Sequence, residues 1–433
     1  MMHPLLQAHR AFTLWRLRRA VAAASPSPTS VYAPVSGRLL YVAASCLPYH
    51  VSGYTARTHE LLCALKAAGA DLRTLTRPGY PGDRADSLYA PRRATLLYVI
   101  LYDHLARPTN HRPTALYVPA AARAIERYAR RHKVACIHAA SNHVNALPAL
   151  IAARRLGIPF QYEMRGLWEL TRVSRMPEFA GSPLCRLGLE LEGLTAAHAD
   201  RLFAISEQLA AYARREWGIP AERIRLLPNC VDGERIRPLP DVAAEPGLIG
   251  YAGSLICYEG LDTLLEAVAE LRRRGVPVRL RVIGEGEARP ALEAQAQALG
   301  LGDSVTFLGR VAPEEARERL AGCALVCIPR RPFEVCRIVP PLKLAEAQAL
   351  GKAVVVPDLP VFRDELGPEP AGWFFRAGDA AHLAEVLAEA LADPERLAAV
   401  GMLGRRHVLE RRQWRHFCKD VLEFPPSAEG SDA

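Results

Sequence analysis

The stretch Arg337-Ile-Val-Pro-Pro-Leu-Lys-Leu-Ala-Glu346-Ala-Gln-Ala-Leu-Gly-Lys-Ala-Val-Val-Val-Pro-Asp358 is the most telling part of the chain. Its two prolines suit the first turn of a helix, where a missing N–H costs nothing. Leu342, Ala345, Ala349 and Leu350 recur at helical spacing, Gly351 stops the helix, and Val354-Val-Val356 reads as a short buried strand. Such a helix start presents free N–H donors and a partial positive charge. Lys343 adds a full charge in the first turn, and Glu346 lies one turn on, on much the same face. The pattern suits a diphosphate at the helix start with a sugar hydroxyl pair on Glu346. The alternative is an ordinary α/β helix carrying an exposed Lys/Glu pair.

Outward from this segment, apolar runs alternate with amphipathic ones almost throughout. Upstream, residues 39–44, 72–76, 134–138, 160–164, 201–205 and 223–227 read as strands, with helices over 55–68, 119–132, 145–156, 184–198 and 206–216. Closer in, residues 248–252, 278–283, 305–308, 324–328 and 373–375 read as strands, and 261–274, 290–299 and 313–321 as helices, with further helices from Ala380 and Gly401. Repeated strand–helix units predict parallel sheets covered on both faces. The turn chemistry of Pro228-Asn-Cys-Val-Asp-Gly233 and the Pro-rich residues 238–247 divide the chain into a first domain, 37–232, a linker, 233–247, and a second domain, 248–403. Two Rossmann-like parallel-sheet domains are expected to face an interdomain cleft, with ligands at the carboxyl ends of the strands.

The 433 residues suit two or three domains, and the formal charge of +9 is almost all arginine, since Lys66, Lys133, Lys343, Lys352 and Lys419 are the only lysines. That charge is dispersed, which disfavours nucleic acid and fits anionic substrates or an anionic membrane surface. Ten cysteines at irregular spacings form no C-x-x-C pair, so a structural zinc site is not expected and the thiols read as small buried hydrophobes in a reducing cytosol. No apolar run is long enough for a membrane span. Residues 1–36 lack the apolar core of a signal peptide. Their Leu5-Leu6, Phe12 and Trp15-Arg-Leu-Arg-Arg19 allow a short basic helix touching a membrane surface. The favoured expectation is a disordered extension, or a start codon set too early. Residues 425–433 read as a frayed tail.

Several motifs, in order, carry a family resemblance. They are Leu47-Pro-Tyr-His-Val-Ser-Gly-Tyr-Thr-Ala-Arg-Thr-His59, Ser141-Asn-His-Val144, Tyr162-Glu-Met-Arg-Gly-Leu-Trp-Glu169 and Leu227-Pro-Asn-Cys-Val-Asp232 in the first half. In the second half they are Gly250-Tyr-Ala-Gly-Ser254, Tyr258-Glu-Gly-Leu-Asp262, Val282-Ile-Gly-Glu-Gly286, Phe307-Leu-Gly-Arg-Val311 and the Lys343/Glu346 helix. Over about residues 38–422 the chain resembles the group 1 glycosyltransferases, the retaining family 4 of the GT-B fold, and looks most similar to the bacterial surface and capsular polysaccharide branch. The resemblance implies transfer of a sugar from a nucleotide-diphosphate donor to an acceptor hydroxyl. The donor would sit on the C-terminal half, and a saccharide or lipid-linked saccharide acceptor mostly on the N-terminal half. It implies no cofactor and no obligatory metal, and the chain has no D-x-D motif. It also implies that a last helix, 404–424, crosses back to the first domain, which makes Trp414 a packing residue. The implied setting is cytoplasmic, at the inner face of the plasma membrane, with peripheral membrane contact and no nucleic-acid partner. In such a site helix dipoles, backbone amides and basic side chains stabilise the leaving diphosphate.

Carried over by position, Glu346 matches the second glutamate of the family's E-x7-E motif and should bind the donor ribose. The first glutamate falls on Ile338, a departure. The usual Arg and Lys of the phosphate clamp fall on Ser254 and Glu259, so the charge must come from Lys343, Arg337, Arg330 or Arg331. Gly53 matches a glycine whose backbone approaches the donor phosphates; a turn glycine is the alternative. Arg165 stands where the family has a histidine. It would steer an anionic acceptor or the transferred sugar, or else form an ion pair with Glu163 or Glu169. His50, Asn142 and His143 are acceptor candidates on strand-end loops, with a structural role as the alternative. Gly284, Arg310 and Val311 lie where the donor base should bind. Lys343 and Arg165 are the catalytic candidates. Two other readings stay open: a GT-B sugar-nucleotide epimerase, and a catalytically inactive binding or scaffold protein in a polysaccharide assembly complex.

Overall fold

A computed structural model describes residues 4–26, 31–84, 94–97, 100–367, 369 and 371–425. Residues 27–30 of the N-terminal extension and nearly all of the tail lie outside them. The chain divides into two compact units, Met1–Pro228 with Trp414–Ala433, and Asn229–Gln413.

The first unit is built on eight strands: β1 (Arg38–Ala43), β2 (Asp71–Thr76), β3 (Ala94–Leu97), β4 (Ile100–Asp103), β5 (Cys136–Ala140), β6 (Phe160–Met164), β7 (Arg201–Ala204) and β8 (Ile224–Leu226). Their order is β3-β4-β2-β1-β5-β6-β7-β8, and every neighbouring pair is parallel except β3 with β4. That antiparallel pair was not expected from sequence. The helix Gly53–Ala67 follows β1. Ser52 starts it through a capping box with Thr55, and Leu61, Leu62 and Leu65 bury its inner face. Ser206 caps the helix Glu207–Trp217, which Gly218 closes in the left-handed conformation.

The second unit holds β9 (Glu245–Ala252), β10 (Arg279–Ile283), β11 (Val305–Gly309), β12 (Cys323–Cys327), β13 (Val354–Pro357) and β14 (Trp373–Phe375). They run in the order β11-β10-β9-β12-β13-β14, all parallel. Ile249, Leu325 and Val355 from the sheet meet Leu264, Val268, Leu383 and Leu387 from the helices Leu261–Arg273 and Ala380–Ala392 in one core. Burying each such side chain is worth roughly 1.5–3 kcal/mol.

Three expectations about organisation are corrected. Residues Pro4–Ala22, expected to be disordered, form a helix whose Leu14, Leu17 and Val21 are buried in the first unit. These apolar residues fall on one side of the helix, so it gains a core contact that a short stretch of sequence does not reveal. The strand expected from 248 begins at Glu245, inside the proposed linker, because that end pairs with Cys323. The helix Pro394–Arg411 runs unbroken across 404 in the second unit. The return to the first unit is made by the short turn Trp414–His416 and the helix Cys418–Leu422. Trp414 is buried there, with the Arg57 guanidinium 5.0 Å from its ring.

All ten cysteines are free; eight are buried, Cys63 is half-buried and Cys257 exposed. Among the described residues no helix is long and apolar enough to cross a membrane.

Candidate active site

In the second unit the parallel strands bring their following loops to one edge of the sheet. The loops after β9 and β10 are joined backbone to backbone: Gly253 N–H donates to the Ile283 carbonyl (2.9 Å) and Leu255 N–H to that of Glu285 (3.0 Å). The Gly284 N–H reaches the Gly309 carbonyl at 2.8 Å, which ties in the loop after β11. A Cβ on Gly284 or Gly286 would collide with the carbonyls of Gly253 or Leu255. The glycine at 284, expected as a donor contact, is therefore already required by the close approach of two loops.

Beside these loops the helix Leu342–Ala349 begins, and the Asn229 amide donates to the Pro340 carbonyl (2.9 Å) just before it. From the first turn Lys343 donates to the Tyr251 hydroxyl (2.6 Å) and the Glu259 carboxylate (2.8 Å). Tyr251 in turn donates to the Ser254 carbonyl at 2.9 Å. A Cβ on Gly253 would stand 2.5 Å from the ammonium, so glycine is what leaves Lys343 its place. The other face of Glu259 is gripped by Arg330 at 2.9 and 3.3 Å, and Arg330 also donates to the Val339 carbonyl (2.9 Å). Burial alone would raise the Glu259 carboxyl, but Arg330 and then Lys343 outweigh it and hold it at about 2. Burial lowers the Lys343 ammonium, opposed by Glu259, and the charge of Glu346 acts on it too. Within this cluster two cations meet one carboxylate at a helix start, with the half-buried Glu346 one turn on and the exposed Ser254 beside it.

The sequence-derived donor residues fare unequally. Lys343, Ser254, Gly284 and Glu346 fall in this neighbourhood, and Glu346 is half-buried one turn beyond Lys343. Arg310 is exposed and Val311 half-buried on the loop that follows Gly309. Arg337 is exposed on the short helix Glu334–Ile338, and Arg331 pairs with Asp262. Ile338, where the family has a glutamate, is a buried core residue. Tyr251 was missed as a site residue, although it stands in the quoted Gly250-Tyr-Ala-Gly motif; a buried tyrosine on a strand looks like core until its hydroxyl is seen between Lys343 and Ser254.

In the first unit a pocket of about 200 Å³ opens at the carboxyl edge of the sheet. Its walls include His50, Tyr54, Arg77, Arg84, Asn142 and Trp168. His50 and Asn142, both acceptor candidates from sequence, line this one pocket; Tyr54, Arg77 and Trp168 were not foreseen. Gly53 is the first residue of its helix. It is exposed, and a Cβ there would meet nothing within 4 Å, so no internal contact demands glycine.

The other two acceptor candidates are elsewhere. Arg165 is buried, and all five of its N–H donors are engaged. It bonds both oxygens of Glu163 (2.9 and 2.9 Å), the Tyr54 carbonyl (3.1 Å), Thr58 (2.7 Å) and the Tyr41 hydroxyl. The internal ion pair with Glu163, not a ligand contact, is what the structure holds. Arg165 still lies 4.5 Å from the Tyr54 ring, so it supports one wall of the pocket from behind. His143 is buried with both its backbone N–H and its Nδ1 on Glu192 (2.8 and 3.1 Å). Burial lowers the imidazole, and the Glu192 hydrogen bond and charge, with Glu169, raise it further than burial lowers it. Glu169, 4.0 Å from His143, is pushed up to about 7, chiefly by burial and then by the charge of Glu192.

Comparison with known proteins agrees with this architecture. The family described as "Glycosyl transferase 4-like domain" matches residues 52–230, and "Glycosyl transferases group 1" matches 233–407. The D-inositol 3-phosphate glycosyltransferase of Segniliparus rotundus is 28% identical over 265 residues, 58% of this chain and 58% of that relative. The GDP-mannose-dependent alpha-(1-6)-phosphatidylinositol monomannoside mannosyltransferase of Mycobacterium tuberculosis is 28% identical over 225 residues, 49% of this chain and 58% of that relative. The chain thus spans little more than half the length of these relatives, and their names do not single out the capsular-polysaccharide branch suggested by sequence. Among solved structures, sucrose-phosphate synthase from Thermosynechococcus elongatus superposes with TM-score 0.73 at 20% identity, covering 89% of this chain and 97% of that one. The Anabaena protein HepE, solved in complex with UDP, gives TM-score 0.66 at 17% identity, covering 89% and 98%. With the two matches lying in order along the chain, each on a unit built on a Rossmann-like sheet, the protein carries a glycosyl transferase 4-like domain followed by a group 1 glycosyltransferase domain in a GT-B fold.

Proposed function

We propose that this protein is a retaining hexosyltransferase that needs no metal and no cofactor. It would move a sugar from a nucleotide-diphosphate donor to an acceptor hydroxyl, in the synthesis of a bacterial polysaccharide or glycolipid. The observation that carries the proposal is the Lys343–Glu259–Arg330 cluster beside Gly253, with Glu346 one turn on. When the bond between the sugar's anomeric carbon and the diphosphate breaks, negative charge grows on the departing oxygens. A preorganised ammonium at a helix start stabilises that charge more than it stabilises the intact donor. In this reading Glu346 binds the ribose, and the exposed Ser254, Arg310 and Arg337 complete the donor surface. Glu259, clasped by two cations, is unavailable as a covalent nucleophile. The acceptor hydroxyl would then attack from the face the diphosphate leaves, and the diphosphate would take its proton.

The first-unit pocket, with His50, Asn142 and Tyr54, suits a polyhydroxylated acceptor, in keeping with the inositol in the relatives' names, while Arg77 on its wall is held by the buried Asp83. The ten free cysteines fit a reducing cytoplasm. The glutamate replaced by Ile338 and the missing basic clamp were the argument for an inactive scaffold. Arg330 and Lys343, drawn onto Glu259, offset the missing clamp in charge and so support an active enzyme.

Labelled sugar nucleotides incubated with membrane extract and the purified protein test this. Glu346→Ala should raise the donor KM and lower kcat, and Lys343→Ala should act chiefly on kcat. Tight nucleotide-diphosphate binding without any sugar turnover would favour the scaffold instead, and activity indifferent to both substitutions would remove this site assignment.

A further inference from the structure

We propose that the outward face of the N-terminal helix Pro4–Ala22 docks the protein on an anionic membrane surface. The helix precedes the family-matched residues, which start at 52, and carries none of the candidate donor or acceptor residues. It has two apolar sides. Leu14, Leu17 and Val21 form the inner one, buried on the first unit, where the helix contacts Thr114–His132 and Pro183–Ala197. Arg10 bonds Glu190 there (2.8 Å) and fixes the helix in rotation.

The opposite side is exposed. Leu5, Phe12 and Trp15 are 72%, 52% and 54% accessible. At about 100° per residue, they fall with Ala8 and Arg19 in one arc of roughly 80°. The Phe12 and Trp15 rings are 6.1 Å apart, and the Arg19 guanidinium lies 5.1 Å from the Trp15 ring. Arg16 and Arg18 flank the arc on its two edges. The helix contains no acidic residue, and Arg16, Arg18 and Arg19 form no salt bridge among the described residues.

An aromatic row between arginines that lack counter-charges matches the interface of an anionic bilayer. Trp and Phe settle at headgroup depth while the arginine heads stay with the phosphates. A groove on another protein would have to supply acidic groups on both edges of a single narrow row. The helix would lie on the membrane, since no described helix is long and apolar enough to cross one. The inference stands apart from the transferase reading, because its test reads binding and not turnover.

The test is flotation of the full-length protein with phosphatidylcholine vesicles, with and without phosphatidylglycerol. Binding is expected to the anionic vesicles and to weaken with salt. Phe12→Ser with Trp15→Ser, both solvent-facing, should lower the partition coefficient by at least about tenfold while thermal unfolding stays unchanged. Arg16→Gln, Arg18→Gln and Arg19→Gln together should abolish the preference for anionic lipid. Failure of the wild-type protein to float, or equal flotation of the Phe12/Trp15 variant, overturns the proposal. So does a Trp15-dependent dimer in sedimentation velocity without vesicle binding, which would assign the face to a second copy.

Discussion

Each unit buries one glutamate between two cations near the carboxyl edge of its sheet, and the two clusters differ in what they leave open. In the first, Glu163 is held by Arg57 (2.9 Å) and Arg165 (2.9 Å), with the Tyr41 hydroxyl at 2.6 Å and His138 at 3.3 Å. Arg57 spends its remaining donors on the carbonyls of Leu227 and Pro228. No side chain in either salt bridge is more than 5% exposed. In the second, Glu259 holds Arg330 and Lys343, but Lys343 keeps 14% of its side chain accessible beside a glycine and an exposed serine. Both carboxyls are driven well below the ordinary glutamate value against the pull of burial. The same electrostatic device serves as a lock where both cations are buried, and as a candidate site where one cation keeps part of its side chain accessible.

That contrast can be broken by experiment. The largest effect is expected from Glu163→Ala, which strands two buried guanidinium groups. Loss of a partner from a buried pair costs about 3–5 kcal/mol, so denaturant unfolding should show the first unit severely weakened. A change below 1 kcal/mol would mean the lock is no lock. Next comes Lys343→Ala, which should lower kcat by roughly 10²–10³-fold, as removal of a transition-state charge partner does, while the unfolding midpoint moves little. A large loss of stability with kcat intact would place Lys343 with the locks.

The third concerns pH. Glu169 has its carboxyl raised to about 7 from the usual 4.5 by burial and by Glu192. The folded state therefore binds more protons than the unfolded one between those values, so stability falls as pH rises from about 4.5 through 7. His143, also raised, slopes the same way. Glu169→Gln should flatten that decline and stabilise the protein at pH 8 by up to about 3 kcal/mol; an unchanged pH–stability profile would refute the buried-carboxyl account. The smallest effect is expected from Arg165→Lys. It forfeits part of a saturated fork at a cost of about 1–2 kcal/mol, and the donor KM should not move. A raised KM with normal stability would return Arg165 to the ligand-binding residues.

The alternation of elements was legible in the chain because strand and helix periods, caps and turn residues are local signals. The strands around Val42, Ile137, Phe160 and Val282 and the helix carrying Lys343 and Glu346 all followed from them. The β3–β4 pair did not, since no helix separates its two strands, and the strand–helix alternation that marks equally short strands such as β7 and β13 is missing there. Of the candidate site, Glu346, Lys343, His50 and Asn142 could be proposed from their motifs, and each lies near a helix start or strand end as expected. Arg165 and His143 stood in equally suggestive motifs and turned inward.

Sequence by itself determined which residues sit at strand ends and helix starts, because those positions depend on neighbours a few places away. Only the tertiary structure decided which charges are spent and which remain available. Glu259 meets its cations 71 and 84 positions along the chain, and Glu163 meets Arg57 across 106. The ionisation and exposure of a buried group are set by the partners that burial brings within about 3 Å, and no local pattern encodes them.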